Sequence, residues 1–61
     1  MVKLSVLREK KGLTQRELAK RAKVTHVTIS RIETGVYDPR LSTLRRLAKA
    51  LRAKVADLLD E

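Results

Sequence analysis

The sequence predicts an all-α fold: a compact bundle of five short helices at about residues 2–11, 15–22, 26–33, 41–52 and 55–60. Three observations predict it. Leucine, isoleucine and alanine recur three and four residues apart in successive segments, the spacing of one helix face. Threonines and glycines punctuate those segments where helices start and stop. A single tyrosine is the only aromatic residue, so the core must be built from leucine, valine, isoleucine and alanine, which suits helices packed on helices. Sixty-one residues are enough for one domain, residues 1–61, with one small core. A chain of that length buries only about 60% of the surface it exposes unfolded.

The first helix, 2–11, turns Leu4 and Leu7 inward and Lys3, Lys10 and Lys11 outward, and Gly12 ends it. The second and third come from the stretch TQRELAKRAKVTHVTISRIETG, residues 14–35, around which the chain is organised. Thr14 and Glu17 stand at capping-box spacing, so a helix starts at Gln15. Behind that cap Leu18, Ala19 and Ala22 form an apolar side, with Ala19 small enough for another backbone to approach closely. Thr25 is the next cap, and His26 to Glu33 runs about two turns before Thr34 and Gly35.

At about 100° per residue, Ile29, Ile32 and Glu33 share one side of this third helix. Val27, Ser30, Arg31 and Thr34 share the other, with His26 at the exposed first position. A solvated face more often carries mixed charge. This one has no acidic group, and it pairs a planar donor fork with a small apolar side chain, a combination suited to base edges in a major groove.

Pro39 disfavours helix at Asp38, so the segment Val36 to Arg40 is a loop. Leu41, Leu44, Leu47, Ala48 and Leu51 then mark the clearest amphipathic helix, 41–52, with Arg45, Arg46, Lys49 and Arg52 on its other sides. Arg40 stands where a cap-forming serine would serve, and Ser42 can take that role instead, shifting the start by two residues. Val55, Leu58 and Leu59 of the last helix complete the core.

The chain resembles the helix-turn-helix family typified by phage repressors and Cro proteins, the XRE type with the lambda-repressor-like fold. The resemblance rests on Leu13-Thr14-Gln15, Glu17-Leu18-Ala19, Val24-Thr25, Thr28-Ile29-Ser30-Arg31-Ile32-Glu33 and Gly35. Leu7-Arg8, Leu44, Leu47-Ala48 and Ala50-Leu51 support it, so it covers nearly the whole chain. One position departs. Family members usually have glycine in the turn where this chain has Lys23, and positive φ there costs about 1 kcal/mol.

The resemblance implies sequence-specific binding of double-stranded DNA by a transcriptional regulator, most simply a repressor, with residues 26–33 reading the major groove. Arg31 then donates to guanine, Val27 touches a thymine methyl, and His26, Thr28 and Ser30 hydrogen-bond to a base or a phosphate. The helix starts make Thr14, Gln15 and Thr25 anion sites. Arg16, Lys23 and Arg40 are phosphate partners on charge. Tyr37 either meets a phosphate or packs its ring on the surface. By the same resemblance Arg8 reaches across to Glu33, against the plainer reading of one more solvated charge. One copy reads few base pairs, so a homodimer on a palindromic operator is expected.

Composition narrows the alternatives. All fifteen Lys and Arg lie in residues 1–56 against four acids, a net +11, before three acids at the end bring the total to +8. Charge of this size favours a polyanionic partner. There is no cysteine, no cofactor motif, no metal-ligand spacing around the lone histidine and no small-molecule site. An enzyme is therefore not expected. The absence of a membrane-length apolar run or signal-peptide region gives a cytoplasmic reading. A cationic membrane-active peptide is the weaker alternative, since two capped helices and a turn do not suit it. The stronger alternative is an antitoxin or adaptor acting through protein contacts, with Leu58 and Leu59 as its apolar surface.

Overall fold

A computed structural model describes residues 3–59, and its elements follow from the punctuation in the sequence. The helices are α1 Leu4–Lys10, α2 Gln15–Ala22, α3 His26–Glu33, α4 Leu41–Leu51 and α5 Val55–Leu58. α2 packs on both α3 and α4, α5 packs on α4, and α1 closes against α3. The Lys3 N–H donates to the Leu58 carbonyl at 2.7 Å, which ties the start of α1 to the end of α5.

The core is aliphatic throughout. Leu4, Leu18, Ile29, Leu47, Leu51 and Leu58 are fully buried, one or two from each helix, with Ala19, Ala22, Ile32, Leu44 and Ala48 between them. Each fully buried leucine or isoleucine contributes roughly 1.5–3 kcal/mol against exposure, which is how so short a chain offsets its backbone entropy. Ala19 and Ala22 have short side chains, which lets α3 and α4 approach α2 closely.

Four helices stop in the same way. Gly12, Lys23, Gly35 and Arg52 each take the left-handed conformation, with φ of 72°, 59°, 79° and 53°. After each, the next residue's N–H reaches back five positions: Leu13 to Arg8, Val24 to Ala19, Val36 to Arg31 and Ala53 to Ala48. This is the Schellman closure, which satisfies carbonyls the helix end leaves open. Two of the four stops use a cation where glycine would be unstrained. A positive charge there also faces the negative end of the helix dipole.

Several expectations need correction. α1 stops at Lys10, because Lys11 already donates back to Leu7 and Arg8 ahead of the Gly12 turn; Val2 lies outside the described residues. α4 ends at Leu51 and not at Arg52, whose left-handed backbone terminates it. α5 ends at Leu58, where Leu59 turns extended; Asp60 lies outside the described residues. α4 starts at Leu41 with Arg40 in the cap position, so Ser42 is not the cap. Leu41 was expected inward but is 54% exposed, since the packed stripe begins only one turn later at Leu44. Leu59 is exposed too, whereas Leu58 is wholly buried, so the two do not form a joint apolar surface.

Candidate nucleic-acid interface

The turn between α2 and α3 is set by caps at both sides. Thr14 Oγ1 accepts from the Glu17 N–H at 3.1 Å while the Glu17 carboxylate accepts from the Thr14 N–H at 2.9 Å. The bond from the Thr14 N–H, and after it the interaction with the Thr14 side chain, hold the Glu17 carboxyl below its ordinary value of 4.5. At the start of α3, Thr25 Oγ1 accepts from the Thr28 N–H at 3.2 Å, and the two hydroxyls lie 2.9 Å apart. Lys23 supplies the sharp reversal between the helices, with a left-handed backbone at φ 59° and ψ 42°.

Burial of Ile29 and Ile32 fixes the rotation of α3. Val27, Arg31 and Thr34 are exposed, while Thr28 and Ser30 are half-buried. His26 is half-buried as well, less open than its place at the helix start suggested. Thr34 Oγ1 donates back to the Ser30 carbonyl at 3.0 Å, while the exposed Arg31 and Val27 carry the rest of this face.

The one acid of α3, Glu33, is turned away from that face. Its carboxylate accepts from Arg8 Nε at 2.6 Å and Arg8 Nη2 at 3.2 Å, a side-on pair between α1 and α3. A third donor, Gln15 Nε2 at the start of α2, lies 3.0 Å from Glu33 Oε1. Arg8 also donates from Nη1 to the Leu13 carbonyl at 2.7 Å. The hydrogen bond to Glu33 pushes the Arg8 guanidinium above its ordinary range, against the opposing effect of burial. Three helices thus meet at a single carboxylate, and Arg8 ties the loop at Leu13 to the same group. The acid is neutralised inside the protein, and α3 presents no negative charge outward.

Gln15 was expected at a phosphate. Its carboxamide is instead engaged with Glu33, so what remains for an anion is the backbone N–H at the helix start. Sequence reasoning missed this bond, because nothing in spacing links residues 18 apart. The N–H groups of Gly35, Val36 and Tyr37 all donate back, to the carbonyls of Ile32 and Arg31, so they close α3 and do not face outward. What the loop can offer a phosphate is the Tyr37 side chain, Arg40 and the first amides of α4, where no side chain caps the helix.

Thr14, Arg16, Lys23, Thr25, Tyr37 and Arg40 are all exposed. Asp38 is the single carboxylate between α3 and α4. Among the described residues no group of His, Cys, Asp and Glu could hold a metal ion, and no helix is long and apolar enough to cross a membrane.

An all-helical bundle with a capped helix pair, an inward acid and an outward basic helix defines the helix-turn-helix class of DNA-binding protein. A helix-turn-helix family model matches residues 4–58, and the chain belongs to that family in its XRE-type form. It is 47% identical to an uncharacterized HTH-type transcriptional regulator of Methanothermobacter thermautotrophicus, over 88% of this chain and 83% of that one. It is 36% identical to the HTH-type transcriptional regulator PuuR of Escherichia coli, over 97% of this chain but 32% of that protein. It is 44% identical to the antitoxin HigA1 of Mycobacterium tuberculosis, over 93% of this chain and 38% of that protein. The chain thus spans about a third of the length of the last two. Among solved structures, the clp gene regulator ClgR from C. glutamicum superposes with a TM-score of 0.83 at 37% identity, covering 88% of this chain and 70% of that one.

Proposed function

We propose that this chain is a sequence-specific binder of double-stranded DNA that acts in the cytoplasm as a transcriptional repressor. α2 lies across the phosphate backbone, and residues 26–33 enter the major groove. One observation carries this reading: the face of α3 opposite the buried isoleucines is outward and free of carboxylates, because Arg8 and Gln15 hold Glu33 on the inner side.

Each proposed contact follows from side-chain chemistry. The exposed guanidinium of Arg31 donates two parallel hydrogen bonds to the O6 and N7 edge of a guanine. Val27, 43% exposed, meets a thymine methyl. His26, Thr28 and Ser30 hydrogen-bond at the groove wall, to a base edge or to the adjoining phosphate. Thr14, Gln15 and Thr25 sit where helix-start amides favour an anion, and Arg16, Lys23, Tyr37 and Arg40 reach phosphates at the rim. Arg8 and Glu33 position α3 and touch no base.

A single copy reads too few base pairs for tight binding at physiological salt, so two copies occupy a palindromic operator with half-sites about 34 Å apart. Selection of bound duplexes from a random pool, at stated salt, tests the reading. A palindromic consensus supports it. Binding that depends on salt alone, with no consensus, sinks it.

The likeness to an antitoxin favours a second reading, in which a protein partner is the main target. That reading gives Arg31 no role and assigns the contact to the exposed Leu59. Arg31→Ala then leaves activity intact while Leu59→Asp abolishes it, the reverse of what DNA reading requires.

A further inference from the structure

The proposed contacts with one duplex leave most of the basic residues unexplained, and three of these, Arg21, Arg46 and Lys49, gather beside Lys23, the one cation of the group already assigned to that duplex. Arg21, Lys23, Arg46 and Lys49 line an open cleft of about 520 Å³ between the end of α2 and the middle of α4, with Ala22 and Ala50 as its floor. All four cations are exposed, and no acid lines the cleft. The acid whose charge acts on Arg21 is Glu17, and its carboxylate is directed into the cap at Thr14. Like charges collected around one concavity repel each other, and a multiply charged anion relieves that repulsion.

The lining also says which anion. Two arginine forks match phosphate geometry, and two lysines add point charges beside them. Apart from the aliphatic stems of the four cations, the lining has only Ala22 and Ala50, with no large apolar or aromatic side chain to form a pocket for a peptide anchor. No aromatic ring is available to stack a base, and four cations with no acceptor side chain among them favour the charged phosphates over the bases. The small floor residues let a backbone settle between the two helices.

We infer that this cleft is a second phosphate-backbone site, through which a copy seated on its operator holds another nucleic-acid segment. The operator contacts proposed above use the start of α2, α3 and the start of α4. The cleft uses the opposite ends of α2 and the middle of α4, with Lys23 shared at the margin.

The test is capture of a second labelled duplex by protein bound to an immobilised operator, comparing wild type with Arg21→Gln/Arg46→Gln/Lys49→Gln. Wild type captures the second duplex. The triple variant loses capture at least tenfold, while its melting is unchanged and its operator affinity stays within about twofold at fixed salt. Inorganic polyphosphate is run as a competitor: if it displaces the second duplex at equal phosphate concentration or below, the cleft serves free polyphosphate and the nucleic-acid assignment is overturned. Capture that persists in the triple variant overturns the site, since the bridging then comes from two reading heads of a dimer. A fall of two to three in the operator salt slope, about 0.9 per lost contact, also overturns it, because the cleft then belongs to the same duplex. Absence of wild-type capture overturns it directly. Failure of the operator reading itself would appear separately, as absence of a selected consensus.

Discussion

Arg8 Nε stands 2.6 Å from Glu33 Oε2 across 25 residues of sequence, with the two side chains only 13% and 7% exposed. The pair joins α1 to the end of α3, and Gln15 adds the start of α2 through a second bond to the same carboxylate. The orientation of α3 therefore depends on a polar contact as well as on Ile29 and Ile32.

Removing one partner of a largely buried pair leaves an uncompensated charge and costs about 3 kcal/mol. The whole chain, at ~0.05–0.15 kcal/mol per residue, is worth only on the order of 3–9 kcal/mol. Arg8→Ala and Glu33→Ala should thus each lose a third or more of the chain's stability. Arg8→Met/Glu33→Met, which removes both charges, should recover most of the loss. Urea melts followed by circular dichroism decide this: single variants within 0.5 kcal/mol of wild type would reduce the pair to ornament.

Lys23 holds a positive φ at which glycine is unstrained, so Lys23→Gly should stabilise by a few tenths to about 1 kcal/mol. Loss of the cation opposes that gain through the helix dipole, by roughly 0.3–1 kcal/mol at low ionic strength. Salt separates the two effects. In 1 M salt, where the Debye length is about 3 Å, the variant should melt a few degrees higher, and at low salt the gain should shrink. Melting below wild type at high salt would refute the strain argument.

Much of this was legible in the sequence, and the reason is local. Thr14 with Glu17, Thr25, Gly12 and Gly35 announce helix ends within three or four residues of themselves, so α2 and α3 emerge with the expected bounds. The rotation of α3 was equally readable, because Ile29 and Ile32 leave one choice of inner face. What spacing alone did not carry was long-range. The Gln15 bond to Glu33, the inward use of the Gly35, Val36 and Tyr37 amides, and the stop at Arg52 depend on tertiary neighbours or on a backbone conformation that arginine does not advertise.

The capping box makes stability depend on pH. Folding lowers the Glu17 pKa, mainly through the bond from the Thr14 N–H, so in the acid range the unfolded chain binds more protons than the native one. The contribution is therefore complete above the ordinary value of 4.5 and disappears as pH falls through the lowered one. Glu17→Gln retains an acceptor for the cap but not the charge. The stability gap between wild type and Glu17→Gln should be open at pH 7 and should close on acidification. A gap constant from pH 7 to pH 2 would show that the charge contributes nothing.

The proposed function divides reading from holding between Arg31 and Arg40. Arg31 is exposed in the last turn of α3, on the face left open by the buried isoleucines, whereas Arg40 immediately precedes α4. A bidentate guanine contact discriminates by about 1–3 kcal/mol, so Arg31→Ala should relax preference at one base pair of each half-site and leave affinity for random duplex nearly unchanged. Arg40→Ala removes one phosphate contact. It should weaken specific and random duplexes alike and flatten the dependence of log K on log salt by about 0.9. Titrations of both variants on operator and random DNA at several salt concentrations test the division. If Arg31→Ala weakened every sequence equally, α3 would be gripping the backbone, and the base-reading role assigned to its outward face would have to be abandoned.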